Sequence, residues 1–172
     1  MSSQWIHAID SDGSTPLDRA FNSGHRAIAE MMLRQEKEDQ TEALQDSTPL
    51  HRAACLGLSE AVFSLLTYGS DPAARDRQGE TPLHQAARAG HVKTVEILLP
   101  VSNVNAANNE GMTPIHWACL ARRTEVVRVL LAHGADPWVR DESMDGLTAV
   151  DIAAMMGYSD LVRLFKIRES YA

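Results

Sequence analysis

Aromatic residues are scarce, 5% of the chain, and only two of its 172 residues are cysteines. With few large rings available, a core has to be filled by aliphatic and small side chains, which favours close helix packing over sheets. Cys55 and Cys119 stand alone, without the paired spacings of a metal knuckle or a disulfide scaffold. Each lies in an alanine-rich helical pattern, so a buried, reduced thiol is expected. No apolar run approaches the ~20 residues that cross a bilayer. Met1 to Asp10 lacks the basic-then-apolar order of a secretory signal. The expectation is an intracellular protein, cytoplasmic, nuclear or both. Positive charge is also short: 16 Lys and Arg face 23 Asp and Glu, for a net charge of −7. That argues against a general phosphate-binding surface and leaves only a local basic patch open. At 44% hydrophobic and 23% charged the chain is otherwise ordinary for a folded protein. Its length suits either one core or a short array of stacked units.

What the chain does have is internal repetition. Thr15-Pro16-Leu17, Thr48-Pro49-Leu50, Thr81-Pro82-Leu83, Thr113-Pro114-Ile115 and Thr148-Ala149-Val150 recur, their threonines 33, 33, 32 and 35 residues apart. Each Thr is an expected N-cap, its hydroxyl accepting an orphan amide of the first turn. Proline follows where its missing N–H costs nothing. Small residues come next (Ala53-Ala54, Ala86-Ala87, Ala118-Cys119, Ala153-Ala154), and they let a neighbouring helix approach closely. Gly24, Gly57, Gly90 and Gly157, each nine residues after the Thr, are placed to stop the helix in the left-handed conformation.

A second helix is read from Val62, Leu65 and Leu66, from Val95, Leu98 and Leu99, and from Val126, Val127, Leu130 and Leu131. Polar connectors follow, Asp76-Arg77-Gln78-Gly79 and Asn108-Asn109-Glu110-Gly111, with the composition of tight turns. The unit is helix, turn, helix and extended finger. Neither helix is long enough to persist alone in water, so burial between adjacent units has to supply the stability.

The strings TPLHRAACLG, TPLHQAARAGH, TPIHWACLA and LLAHGADP resemble the ankyrin repeat, whose hallmark is T-P-L-H-x-A. The likeness runs from about Asp10 to Phe165. It implies an all-α fold: a solenoid of stacked helix-turn-helix units with hairpin fingers. The whole chain, 1–172, is expected to be a single domain. Its repeats fall at roughly 10–42, 43–75, 76–107, 108–142 and 143–172, and 1–9 form a partial N-terminal finger. The chain then starts partway through a unit, as a piece of a longer protein or a truncated cap would.

Seven histidines invite a metal or catalytic reading, but all fall on repeat positions. His51, His84 and His116 follow the Thr-Pro-Leu/Ile; His25 and His91 follow the Gly. His133 precedes Gly134 and His7 lies in the first finger. Equivalent residues of stacked helices sit ~10 Å apart, too far to share a zinc with ~2 Å bonds. Structural hydrogen-bonding or exposed roles are expected instead. No nucleophile–base–orienter trio, phosphate loop or metal-ligand pattern is present, so the chain is read as a non-enzyme needing no cofactor. Acidic pairs such as Asp141-Glu142 fall in expected loops, where a solvated surface accounts for them.

The resemblance implies partner binding on the concave face, at variable finger and helix-edge positions. These are Arg77, Gln78, Glu80 and Arg88 in one unit, then Asn109, Glu110, Met112 and Leu120 in the next, with Met144 in the last finger. Arg122-Arg123 replaces the usual Gly-His or Gly-Leu. With Arg88 it forms an expected basic patch for an acidic partner; drift of the repeat is the plain alternative. A left-handed Arg122 carries a cost of roughly 1 kcal/mol against glycine, so exchanging the pair for Gly-His is expected to stabilise the fold. Trp138 is either an interface anchor or packed on the neighbouring finger, and Trp117 is expected to pack in the core. Asn105 resembles the finger asparagine that oxygen-dependent hydroxylases modify in some ankyrin proteins.

Three irregularities remain. The loop after Pro100 is one residue short, and two extra residues with added acidic groups lengthen the turn near Asp141 to Asp145. Arg34 to Gln40 has no glycine stop and is expected to be a solvated helix. The leading expectation is a monomeric scaffold, adaptor or inhibitor that binds another protein without chemistry. The alternatives are a regulatory segment of a larger enzyme, channel or ubiquitin-ligase component, and a nucleic-acid binder using the arginines, against which the net charge counts.

Overall fold

The computed structural model describes residues 47–142 and 146–169, together with Pro16, Arg19, Ala20, Ser23, Ile28 and Ala29. Eight α-helices are complete in it: α1 (Pro49–Leu56), α2 (Ser59–Thr67), α3 (Pro82–Ala89), α4 (Val92–Leu98), α5 (Pro114–Leu120), α6 (Thr124–Ala132), α7 (Ala149–Met155) and α8 (Ser159–Glu169). Among the described residues there is no strand. The helices come in pairs and form two rows. α1, α3, α5 and α7 pack side by side in the first row, and α2, α4, α6 and α8 in the second.

Each first helix starts at the repeated threonine, and the histidine three residues later completes a reciprocal cap. The amides of Thr48, Thr81 and Thr113 donate to Nδ1 of His51, His84 and His116 at 3.2, 3.0 and 3.1 Å. Accepting at Nδ1 fixes the neutral tautomer with its proton on Nε2. Each Nε2 then donates to a carbonyl of the next finger: His51 to Glu80 at 2.9 Å, His84 to Met112 at 3.1 Å, His116 to Val139 at 3.0 Å. Every one of these histidines therefore ties its own helix start to the following unit, the structural hydrogen bonding expected of them. In the last unit Asp151 closes the same cap with Thr148, at 3.0 Å from the amide and 2.7 Å from the hydroxyl, but its side chain has no N–H to donate onward.

The first helices end alike. Amides of Leu58, His91, Arg123 and Tyr158 reach back to carbonyls of Ala53, Ala86, Ala118 and Ala153 at 3.0, 3.2, 2.7 and 2.9 Å. Such closure needs a left-handed residue just before the donor. Gly57 and Gly90 supply it with φ of 71° and 90°. A side chain at either would collide with the next unit: a Cβ on Gly57 lies 2.5 Å from the His91 ring, and one on Gly90 lies 2.6 Å from Arg123.

Between the rows lies a core of small and aliphatic residues. Ala53, Ala54, Ala86, Ala87, Ala118, Cys119, Ala149 and Ala153 line the close helix contacts. Leu50, Leu83, Ile115, Leu65, Leu98, Leu130, Leu161 and Phe165 fill the remaining space and are fully buried. At about 1.5–3 kcal/mol per buried large side chain, this cross-unit burial is what offsets the weakness of helices of 7 to 11 residues.

Pro100 does not simply end a helix. α4 runs into a 3₁₀ turn, Leu99–Val101, with the proline in its first turn where no donor is required. Gly24 and the Arg34 to Gln40 run lie outside the described residues.

Candidate interaction groove

The fingers between helix pairs are held by short polar side chains. The Asp76 carboxylate accepts the amides of Gln78 and Glu80 at 3.0 and 2.9 Å, and Asn108 does the same for Glu110 and Met112 at 2.9 Å each. Adjacent fingers are then stitched together, Asn109 N to Gln78 O at 3.0 Å and Glu142 N to Glu110 O at 2.8 Å. The lengthened last finger keeps the pattern across its insertion: Asp141 N donates to Leu147 O and Leu147 N to the Asp141 carboxylate.

Where fingers meet first helices there is a cavity of about 370 Å³, lined by Arg77, Gln78, Glu80, Arg88, Asn108, Asn109, Glu110 and Trp117. Its floor is a polar network. Gln85 Nε2 donates to Glu80 at 2.7 Å and to Asp76 at 3.1 Å. Arg88 pairs with Glu80 at 3.6 Å, donates to the Gln85 side-chain oxygen, and lays its guanidinium 5.0 Å from the Trp117 ring centre. Burial pushes the Glu80 carboxyl above its ordinary range, and the Arg88 charge opposes that rise.

Several expected contacts converge here: Arg77, Gln78, Arg88, Asn109 and Glu110 all line the cavity. Two expectations need correcting. Glu80 is 2% exposed and Met112 8%. Glu80 is turned inward onto Gln85 and Arg88, and Met112 is packed inside with its carbonyl taken by His84, so neither is a free surface contact. Trp117 is only half-buried, and one face of its ring carries Arg88 rather than core. Sequence reasoning missed Asn108 as a lining residue, and Asp76 and Gln85 as the buried polar support beneath it. The signal was there, since Gln85 is the one amide at the helix position that carries Arg52, Trp117 or Ile152 in the other units.

The arginine pair is also placed differently from expectation. Arg122 does adopt the left-handed conformation, φ 52°. Its guanidinium stacks 5.0 Å from the Tyr158 ring and pairs with Asp160 at 3.8 Å. Arg123 takes the part that His91 plays one unit earlier: His91 Nε2 bonds Cys55 O and Arg123 Nε bonds Arg88 O, both at 3.1 Å. Both arginines thus strap neighbouring units together, which is a different task from forming a free basic patch with Arg88.

Leu120 lies one turn beyond Trp117 on α5 and is 37% exposed. Trp138 is 49% exposed. It replaces the finger asparagine that in the preceding unit bridges onward, Asn105 accepting from Asp136 N at 2.8 Å and donating to Gly134 O at 3.3 Å. Met144 lies outside the described residues.

A profile described as ankyrin repeats (3 copies) matches residues 50–141, more than half of the chain. The chain belongs to the ankyrin repeat family. A comparison with curated protein sequences found no match. Ankyrin repeats are in general modules that bind other proteins. Among the described residues no cluster of His, Cys, Asp and Glu is arranged to hold a metal ion, and no helix is long and apolar enough to cross a membrane.

Proposed function

We propose that this ankyrin protein is one continuous, non-catalytic binding domain that seats a partner protein on the concave face formed by its fingers and first helices. It acts there as a scaffold, adaptor or inhibitor. The observation that carries this reading is the cavity joining finger residues Gln78, Asn109 and Glu110 to the helix residues Arg88 and Trp117. Its walls are fixed before any partner arrives. The fingers are bonded to one another, and Arg88 is held on three sides by Glu80, Gln85 and Trp117. A pre-ordered groove loses little conformational entropy on association, so modest contacts suffice for useful affinity.

The test is site-specific photo-crosslinking in cells. A photoreactive amino acid at Gln78 or Leu120 is expected to trap a discrete protein adduct, while the same group at Phe63, exposed on α2 in the second row, is not. Adducts at Phe63 alone would place binding on the opposite face and end the proposal.

A further inference from the structure

The groove changes character along its length. Seven residues after the repeated threonines from Thr48 onward, the first helices carry Cys55, Arg88, Leu120 and Met155. Arg88 is committed to Glu80, Gln85 and Trp117. Leu120 and Met155 are open, Met155 at 71% exposure, and Met156 beside it is exposed as well. By the register of the repeat Leu120 and Met155 hold equivalent places on adjacent first helices, with Trp117 one turn before Leu120, and this sets an apolar floor along α5 and α7. Neighbouring first helices are ~10 Å apart, so this floor offers anchor points at that separation. Unbranched methionines adapt to the shape of what lands on them.

The lip above this floor is acidic. Glu110 and Glu142 are exposed on adjacent finger tips, their backbones joined at 2.8 Å. Among the described residues no hydrogen bond or ion pair holds either carboxylate, while the nearby cation Arg140 is turned to the Gly146 carbonyl at 2.7 Å. Glu110 also adds to the negative field felt by Glu80, whose one close counter-charge is Arg88. The whole chain carries −7. Exposed apolar surface under exposed carboxylates calls for the complementary combination in whatever covers it.

We infer that the occupant of this half of the groove is a basic amphipathic segment of a partner protein, with apolar side chains seated on Trp117, Leu120 and Met155 and lysines or arginines against Glu110 and Glu142. This rests on the concave-face reading above and adds the chemistry of the partner.

The experiment is selection of a displayed peptide library, balanced in basic and acidic residues, against the full chain at physiological salt. Enriched peptides are expected to be net positive with apolar residues among the cations. Their affinity is expected to fall about tenfold or more for Leu120→Asp with Met155→Asp, and by a similar factor for Glu110→Lys with Glu142→Lys. Glu110→Gln with Glu142→Gln keeps the backbone link between fingers and is expected to give a smaller loss, which separates charge from folding. Net acidic or neutral winners, no enrichment, or affinities unmoved by the Glu→Lys pair overturn the inference. Winners that lack basic residues yet lose binding with Leu120→Asp and Met155→Asp leave the concave-face reading standing. Winners indifferent to every substitution sink both.

Discussion

At the scale of single residues, Arg122 is the clearest case of a local rule broken and compensated. The 2.7 Å bond from Arg123 N to Ala118 O demands a left-handed residue, and the chain supplies an arginine at φ 52° where its other units have glycine. The conformational cost is about 1 kcal/mol. Against it stands the guanidinium on Tyr158, worth about 0.5–1 kcal/mol at an exposed site, with an exposed ion pair that adds little. Arg122→Gly is therefore expected to leave the urea midpoint nearly unmoved, since strain relief and lost stacking cancel. Arg122→Ala keeps the strain, gives up the contacts, and should lower stability by about 1 kcal/mol. A full 1 kcal/mol gain for the glycine variant would mean that the Tyr158 contact contributes nothing. The left-handed backbone was legible from the register of the repeat. The role of the side chain was not, because register gives a residue's column in the stack but not what the neighbouring column offers it. Glu80 and Met112 were misplaced for the same reason. Spacing assigned them to the fingers, while the packing around each depends on other elements: Glu80 turns onto Gln85 of the following helix, and Met112 is buried with its backbone carbonyl held by His84 of the preceding unit.

Among the elements, the fingers are where sequence and structure agree on position and differ in what they reveal about packing. The Asp/Asn and Gly chemistry of the turns and the two-residue insertion near Asp141 were readable, and the bond between Asp141 and Leu147 spans that insertion without disturbing the ladder. What could not be read is how closely one finger lies on the next. Gly111, φ 73°, has the Glu142 backbone amide 2.7 Å from where a Cβ would stand; Gly134, φ 86°, has nothing within 4 Å. Both glycines look alike in sequence, each being left-handed and each ending a turn or helix. Gly134→Ala should cost only the conformational ~1 kcal/mol. Gly111→Ala adds a backbone collision that forces the last two fingers apart, so a loss of about 2–3 kcal/mol is expected. Equal losses in thermal or urea unfolding would show that the fingers yield without resistance. The same collision moves Glu142 relative to Glu110, so Gly111→Ala should also weaken any binding that uses both carboxylates.

For the whole molecule the periodicity of Thr-Pro-Leu/Ile was enough to predict the array, because each unit repeats the same cap, small-residue face and stop. Its response to acid follows from the same repetition. His51, His84 and His116 are buried, and desolvation depresses all three below the ordinary imidazole value of 6.5, His84 to about 4. Protonation at Nδ1 would also break the bonds from the Thr48, Thr81 and Thr113 amides. Above pH 6.5 both folded and unfolded chains hold neutral rings, and the stabilisation is complete. As pH falls below 6.5 the unfolded chain takes up protons that the folded chain refuses, so all three histidines lower stability, His84 at about 1.4 kcal/mol per pH unit down to its own value near 4. For His84 the loss reaches about 3 kcal/mol by pH 4. Glu80 works in the other direction, since its carboxyl is raised by burial and protonating it in the folded state relieves an unfavourable buried charge. Three histidines act together against that single carboxyl. Because each ring joins two units, the acid loss acts on the contacts between units, where a stacked array has most of its stability. The urea midpoint should therefore fall steeply between pH 6.5 and 5, and His84→Gln, less stable at neutral pH, should show a slope shallower by about one proton. A midpoint that stays level across that window would mean that these histidines are open to water and that the units are not fastened through them.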